Sequence, residues 1–183
     1  GTASGTSGGG GGRIALMVTN ASADFSGLIL TNVTAYGGTG PSGNGGAGTL
    51  YLRTASQGPN DGLLIVDNNG IAGTATMVSP LVTDASIRDV WVQRSAILGI
   101  ASNQSLTVSG VFSNGAGFLA ENNGALVFAG SGVSTSTVYG NSTFSALTCT
   151  TPGKMLRFTA GSSNAVQALG QLTLTGTAAS NVV

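Results

Sequence analysis

Apolar residues fall in short clusters along this chain: IALMV at 14–18, LIL at 28–30, TLYL at 49–52, LLIV at 63–66, DVWV at 89–92, LTV at 106–108, ALVF at 125–128 and LTL at 172–174. The clusters are too short for helices and rich in β-branched residues, so they read as strands. The pattern predicts strands at 14–19, 28–35, 49–54, 63–67, 75–78, 90–92, 105–111, 125–129, 135–139, 146–150, 155–159 and 171–175. Between them lie NNG at 68–70, SNG at 113–115, NNG at 122–124 and GSS at 161–163. These are turn signatures, because Gly and Asn tolerate positive φ. One stretch, residues 83–98, also fits a helix, with Asp84 as cap and Ile87, Val90, Trp91, Ile97 and Leu98 on one face. Ile and Val are poor helix formers and Arg94 interrupts that face, so strand is the better reading.

Many short strands allow a sandwich, a barrel or a solenoid. Sandwich and barrel strands usually alternate inward apolar residues with outward charges. Here the polar positions are mostly Thr, Ser, Asn and Ala, which suit the stacked ladders of a single-stranded parallel β-solenoid. With roughly 20–25 residues per rung, the 183 residues predict about eight rungs. No composition break or linker divides the chain, so 1–183 reads as one all-β domain. Its first part, 1–48, holds glycine-rich rungs and loops, and 49–183 holds regular rungs. The chain begins without Met and ends just after a strand-like run, which reads as cut or processed. Neither end shows a polar cap, so the coil is expected to present two open ends that continue into further repeats or stack on other copies.

Composition narrows the chemistry. Only 7% of residues are charged, the formal net charge is zero and histidine is absent. The six basic residues are scattered, which excludes a basic nucleic-acid patch. No apolar run reaches the ~20 residues of a membrane-spanning helix. Triads that need histidine are excluded, as is structural zinc, with one cysteine, Cys149, and no His. Gly38–Gly43 matches G-x-G-x-x-G, but a strand pattern, TLYLRT, follows where a phosphate-binding helix should begin. No GxxxxGK[ST] occurs, and the only lysine is Lys154. The acids are isolated; a calcium site built on Asp61 or Asp67 would lean on backbone carbonyls. No cofactor and no metal site is therefore expected. Four N-x-[ST] sequons, at Asn20, Asn32, Asn103 and Asn141, are no more than a chain rich in Asn, Ser and Thr produces by chance.

The one charge cluster is Asp84, Arg88, Asp89 and Arg94 around Trp91. An aromatic ring beside charged groups could stack on a sugar, so these five residues are the candidate sugar contact; no catalytic residue is assigned.

SGGGGGRIALMV at 7–18 with FSGLILTNVTAYGGTGPSGNGGAGTLYLRT at 25–54, and TFSALTCTTPGKMLRFTAGSSNAVQALGQLTLTG at 143–176, resemble glycine-rich repeat units of very large secreted or cell-surface bacterial proteins of adhesin-like kind. The resemblance implies a right-handed parallel β-helix and an extracellular or cell-surface location, and it carries over no catalytic residue. The expected function is a non-enzymatic structural one, a fibre subunit stacked head-to-tail or the stalk or adhesive part of a larger surface protein. Its expected partners are copies of itself, flanking solenoid repeats or surface glycans. The alternative is a carbohydrate-binding or polysaccharide-degrading β-helix protein.

Overall fold

The computed structural model describes residues 6–78, 86–120, 124–130 and 134–176. The chain opens with β1 (Arg13–Met17), one turn of 3-10 helix at Leu30–Asn32, and β2 (Thr49–Arg53). The coil then starts with β3 (Leu63–Asp67), β4 (Thr76–Val78) and β5 (Ser86–Ile87). The second turn carries β6 (Asp89–Gln93), β7 (Ile97–Ile100) and β8 (Ser105–Val108). The third carries β9 (Val111–Asn114), β10 (Gly117–Ala120) and β11 (Ala125–Phe128). β12 (Thr135–Tyr139) and the long β13 (Ser142–Cys149) form the fourth, and β14 (Met155–Phe158) and β15 (Asn164–Leu174) lie on top.

Like strands stack on like. The three sheets run β1-β2-β3-β6-β9-β12-β14, β4-β7-β10 and β5-β8-β11-β13-β15. Among the described residues, every strand pairing is parallel except that of β2 with β3. This is an all-β parallel solenoid. Along its first face, partners Leu63–Asp89, Val90–Phe112, Val111–Thr137 and Thr135–Met155 lie 26, 22, 26 and 20 residues apart, which makes about four turns. The rung length matches expectation, but the count of eight does not. Residues 6–62 contribute no coil turn, and dividing the whole chain by a rung length counted them. Residues 83–98 do not form a helix either: described from 86 on, they supply β5, β6 and the start of β7.

Register makes the core a set of inward axial columns. Leu64, Val90, Phe112, Val138 and Phe158 follow one another across the first face. Ile87, Val108, Phe128, Cys149 and Leu174 do so across the third. Phe118 joins the columns, with its ring 5.2 Å from Phe112 edge-on and 5.6 Å from Phe144. Buried polar groups sit at the corners. Asn114 donates to the Asn141 carbonyl (2.6 Å) and to Ser142 Oγ (3.0 Å). Lys154 is buried and donates from Nζ to the carbonyls of Ser109 (2.9 Å) and Gly130 (3.4 Å), tying successive turns together. Burial pushes its pKa below the ordinary lysine value.

Cys149 is fully buried, and burial pushes its thiol up from the ordinary cysteine range. Thiolate is the reactive form. Ellman's reagent is therefore expected to leave the native protein unmodified and to titrate one thiol after denaturation. Rapid labelling of the native protein would contradict this packing.

The amino-terminal edge of the first sheet is not open. β2 runs antiparallel along β3, and β1 adds beside it. On the outer face of these strands, Leu50, Leu52 and Ile65 are buried under Phe25, Leu28, Leu30 and Val33. The stretch expected as a strand at 28–35 is therefore a cover: its apolar side chains are used, but its backbone makes only one 3-10 turn.

Next to this cover, four glycine-rich segments (8–12, 35–40, 43–48 and 72–74) lie side by side. Gly8 N donates to Gly43 O and Gly11 N to Gly46 O, at 2.8 and 2.9 Å. Gly45 N donates to Gly38 O and Gly48 N to Ala35 O, at 2.9 and 2.6 Å. The bonds recur every third residue, as in a polyproline-II helix with three residues per turn, instead of every second. Glycines at the same spacing face inward. A methyl group on Gly8, Gly11, Gly37, Gly45 or Gly48 would overlap the backbone of the adjoining segment. Asn68, buried at the first corner of the coil, fastens the bundle. Its Oδ1 accepts from Gly37 N (2.7 Å), and its Nδ2 donates to Gly45 O (3.2 Å) and Ile71 O (2.6 Å).

Candidate functional site

β6 places two members of the expected sugar-contact cluster, Asp89 and Trp91, on one outer face. A strand sends alternate side chains to opposite faces, so Val90 and Val92 enter the core while Asp89, Trp91 and Gln93 face outward. Arg88 and Asp89 form a loose pair at 3.6 Å, and Asp89 Oδ1 also accepts from Val111 N at 2.7 Å. Arg88 lines a shallow groove with Asn60, Asp61, Ser86 and Ser109. Asp84 lies outside the described residues.

Arg94 belongs to a different constellation. It occupies the turn after β6, where Arg94 and Ser95 both take left-handed φ angles of 47° and 63°. That turn aims the guanidinium back along the axis onto Asp67 of the rung below. Nε donates to Asp67 Oδ1 and Oδ2 at 3.0 and 2.8 Å, and Nη2 to Oδ2 at 2.6 Å. Nη1 reaches Asn69 Oδ1 at 3.2 Å, and Nη2 also reaches the Tyr36 hydroxyl at 2.6 Å. The guanidinium carbon lies 5.4 Å from the centre of the Tyr36 ring, within cation–π range. Gln93 Nε2 gives Asp67 Oδ2 a further bond of 2.8 Å. The hydrogen bond to Asp67 holds the Arg94 pKa above its already high ordinary value.

The sequence reading missed Tyr36, Asn69 and Gln93, and it did not join Asp67, held as a calcium possibility, to Arg94. The signal was available once a rung length is known: Asp67 and Gln93 are 26 residues apart and pair in register.

This cluster closes one side of a cavity of about 120 Å³ lined by Leu30, Val33, Tyr36, Leu50 and Ile65. Sites for small ligands are usually ~300–1,000 Å³. Asp67 already accepts from Arg94, Gln93 and the Asn69 amide, so its carboxylate is poorly placed for acid–base work. The arrangement is a clamp from Tyr36, in the glycine-rich cover, to the coil. No protein-family model, curated protein or solved structure matches the chain.

The other notable surface is the carboxy-terminal end of the coil. In three inward columns the burial stops at the last rung. Val138 is fully buried but its partner Phe158 is 42% exposed; Leu147 is 4% exposed but Leu172 is 56%; Cys149 is fully buried but Leu174 is 52%. Phe144, Leu156, Phe158, Val166, Leu172 and Leu174 border an open cavity of about 530 Å³. Within it, Asn164 Oδ1 is buried without a hydrogen-bond partner. Among the described residues, β14 and β15 are the outermost strands of their sheets.

Proposed function

We propose that the chain is a non-enzymatic structural β-solenoid of an extracellular or cell-surface protein, a rod segment joined end to end to further coil. The observation that carries this reading is the apolar surface of β14 and β15, where Phe158, Leu172 and Leu174 are exposed although their register partners in the rung below are buried. A rung laid on β14 and β15 would bury Phe158, Leu172 and Leu174 and pair with these outer strands in one step. The partner is accordingly another coil, either a second copy acting as a fibre subunit or flanking solenoid repeats forming a stalk. β15, NAVQALGQLTL, carries no charge along its eleven residues. It thus lacks the charged residues that usually keep an edge strand from pairing. The location rests on the resemblance of the glycine-rich units to those of large bacterial surface proteins.

A polysaccharide-degrading function has less support. Glycoside hydrolysis needs two facing, available carboxylates, whereas Asp67 is held by Arg94 and Asp89 by Arg88 and the Val111 amide.

Size-exclusion chromatography with light scattering, together with electron microscopy, tests the joining surface. The protein should form end-joined oligomers or filaments that Phe158→Asp with Leu172→Asp disperses to monomers of unchanged circular dichroism. A protein that stays monomeric at high concentration, with or without those changes, would overturn self-joining. Release of sugar fragments from polysaccharide by the purified protein would overturn the non-enzymatic reading.

A further inference from the structure

The outer face of the first sheet carries its own axial columns. Ile14, Leu50, Ile65, Trp91, Ser113 and Tyr139 are successive register partners across β1, β2, β3, β6, β9 and β12. Leu50 and Ile65 lie beneath the cover of Phe25, Leu28, Leu30 and Val33. The cover stops there. Trp91 and Tyr139 are 38% and 46% exposed, and the small, half-buried Ser113 lies between them in register. The neighbouring column is Val111, Thr137 and Arg157, in register.

We infer that Trp91 and Tyr139 are two stacking platforms for an extended, β-linked, uncharged polysaccharide lying along the coil axis. The spacing argues for this ligand. Adjacent strands are ~4.8 Å apart, so two rungs place the rings ~10 Å apart. That is about the advance of two sugar residues in an extended β-linked chain, in which every second residue presents the same apolar face. The surroundings argue the same way. Exposed rings mounted on a flat sheet supply contact area at little entropic cost. Thr137 and Arg157 lie beside them to hydrogen-bond hydroxyl groups, and Gln93, whose Nε2 is held by Asp67, offers its Oε1 as an acceptor. A protein partner would favour a continuous apolar core, and here Ser113, Thr137 and Arg157 break the apolar surface. This site is separate from the open end of the coil and does not depend on end-to-end joining. It keeps Trp91 from the sequence-level cluster, replaces its charged neighbours as the main contacts, and adds Tyr139.

Co-sedimentation with microcrystalline cellulose and with chitin, and affinity electrophoresis in soluble xylan, test it on the whole chain. Binding is expected to at least one of the three. Trp91→Ala and Tyr139→Ala should each weaken that binding about tenfold or more. Trp91→Phe, which keeps a ring, should retain most of it and guards against a folding defect. Phe158→Asp should leave it unchanged. No binding to any of the three probes, equal binding to helical amylose, or loss with only one of the two alanine variants would overturn the proposal. So would self-association that Trp91→Ala abolishes, which would make this face a contact between copies.

Discussion

Gly45→Ala and Gly11→Ala are expected to unfold the amino-terminal cover, while Gly9→Ala and Gly12→Ala leave it intact. All four replace one glycine by one methyl group in the same bundle, so composition and helix propensity cannot separate them. What differs is where the methyl would go. At Gly45 it would enter the backbone of Gly9, and at Gly11 the backbone of Ala35 and Gly48; at Gly9 and Gly12 it would meet open space. Backbone cannot swing aside as a flexible side chain can. Gly45→Ala would also displace the carbonyl that accepts from Asn68. The overlap should cost at least ~3 kcal/mol, the upper part of the usual range for overpacking. Gly9→Ala and Gly12→Ala should lie within about 1 kcal/mol of the parent, since a compatible Gly→Ala change mainly restricts the unfolded chain. Thermal unfolding with hydrogen exchange across 8–12, 35–40 and 43–48 measures this. Four similar melting temperatures would refute the packed bundle.

That contrast also explains what could be read in the sequence. The coil was legible because inward residues repeat as short apolar clusters, and Val90, Phe112 and Val138 fell inside or beside predicted strands. The glycine bundle was not legible. Its order lies in a three-residue spacing of backbone contacts, and a run such as SGGGGGR shows no hydrophobic period. The G-x-G-x-x-G at 38–43 is part of that bundle: Gly38 accepts from Gly45, and a methyl on Gly40 would overlap Gly8. Leu28–Val33 was misread because apolar residues report burial but not which backbone partner they have. They cover Leu50 and Ile65 instead of joining a ladder.

The candidate site shows the same limit from another side. Arg94 and Trp91 are three residues apart, yet one clamps Asp67 and the other faces outward from the sheet. Tyr139 lies 48 positions after Trp91, but two rungs bring it into the same column. Sequence proximity misses neighbours such as Asp67 for Arg94 and Tyr139 for Trp91, because in a coil the lateral neighbours of a residue lie one rung length away.

The second large effect is expected from Phe112→Ala, set against Phe158→Ala in the same inward column. Phe112 is fully buried in the third turn and packs edge-on against Phe118. Truncation removes the ring and leaves a cavity that rungs on both sides hold open, at ~3–5 kcal/mol. Loss of the aromatic pair adds ~0.5–1.5 kcal/mol. Domains are stable by only ~5–15 kcal/mol, so this one change takes a large share. Position adds to it. A solenoid is held by contacts between adjacent rungs, and a defect in the middle uncouples the turns on either side. Phe158→Ala removes a ring already 42% exposed at the last rung, and should cost the isolated chain less than about 1.5 kcal/mol. In end-joined material the order changes: a rung seated on β14 would bury Phe158, and its loss should then approach the cost of Phe112. Urea unfolding of both variants, measured on dispersed and on joined protein, checks the argument. A Phe158→Ala cost that stays small in joined material would mean that the joint lies elsewhere.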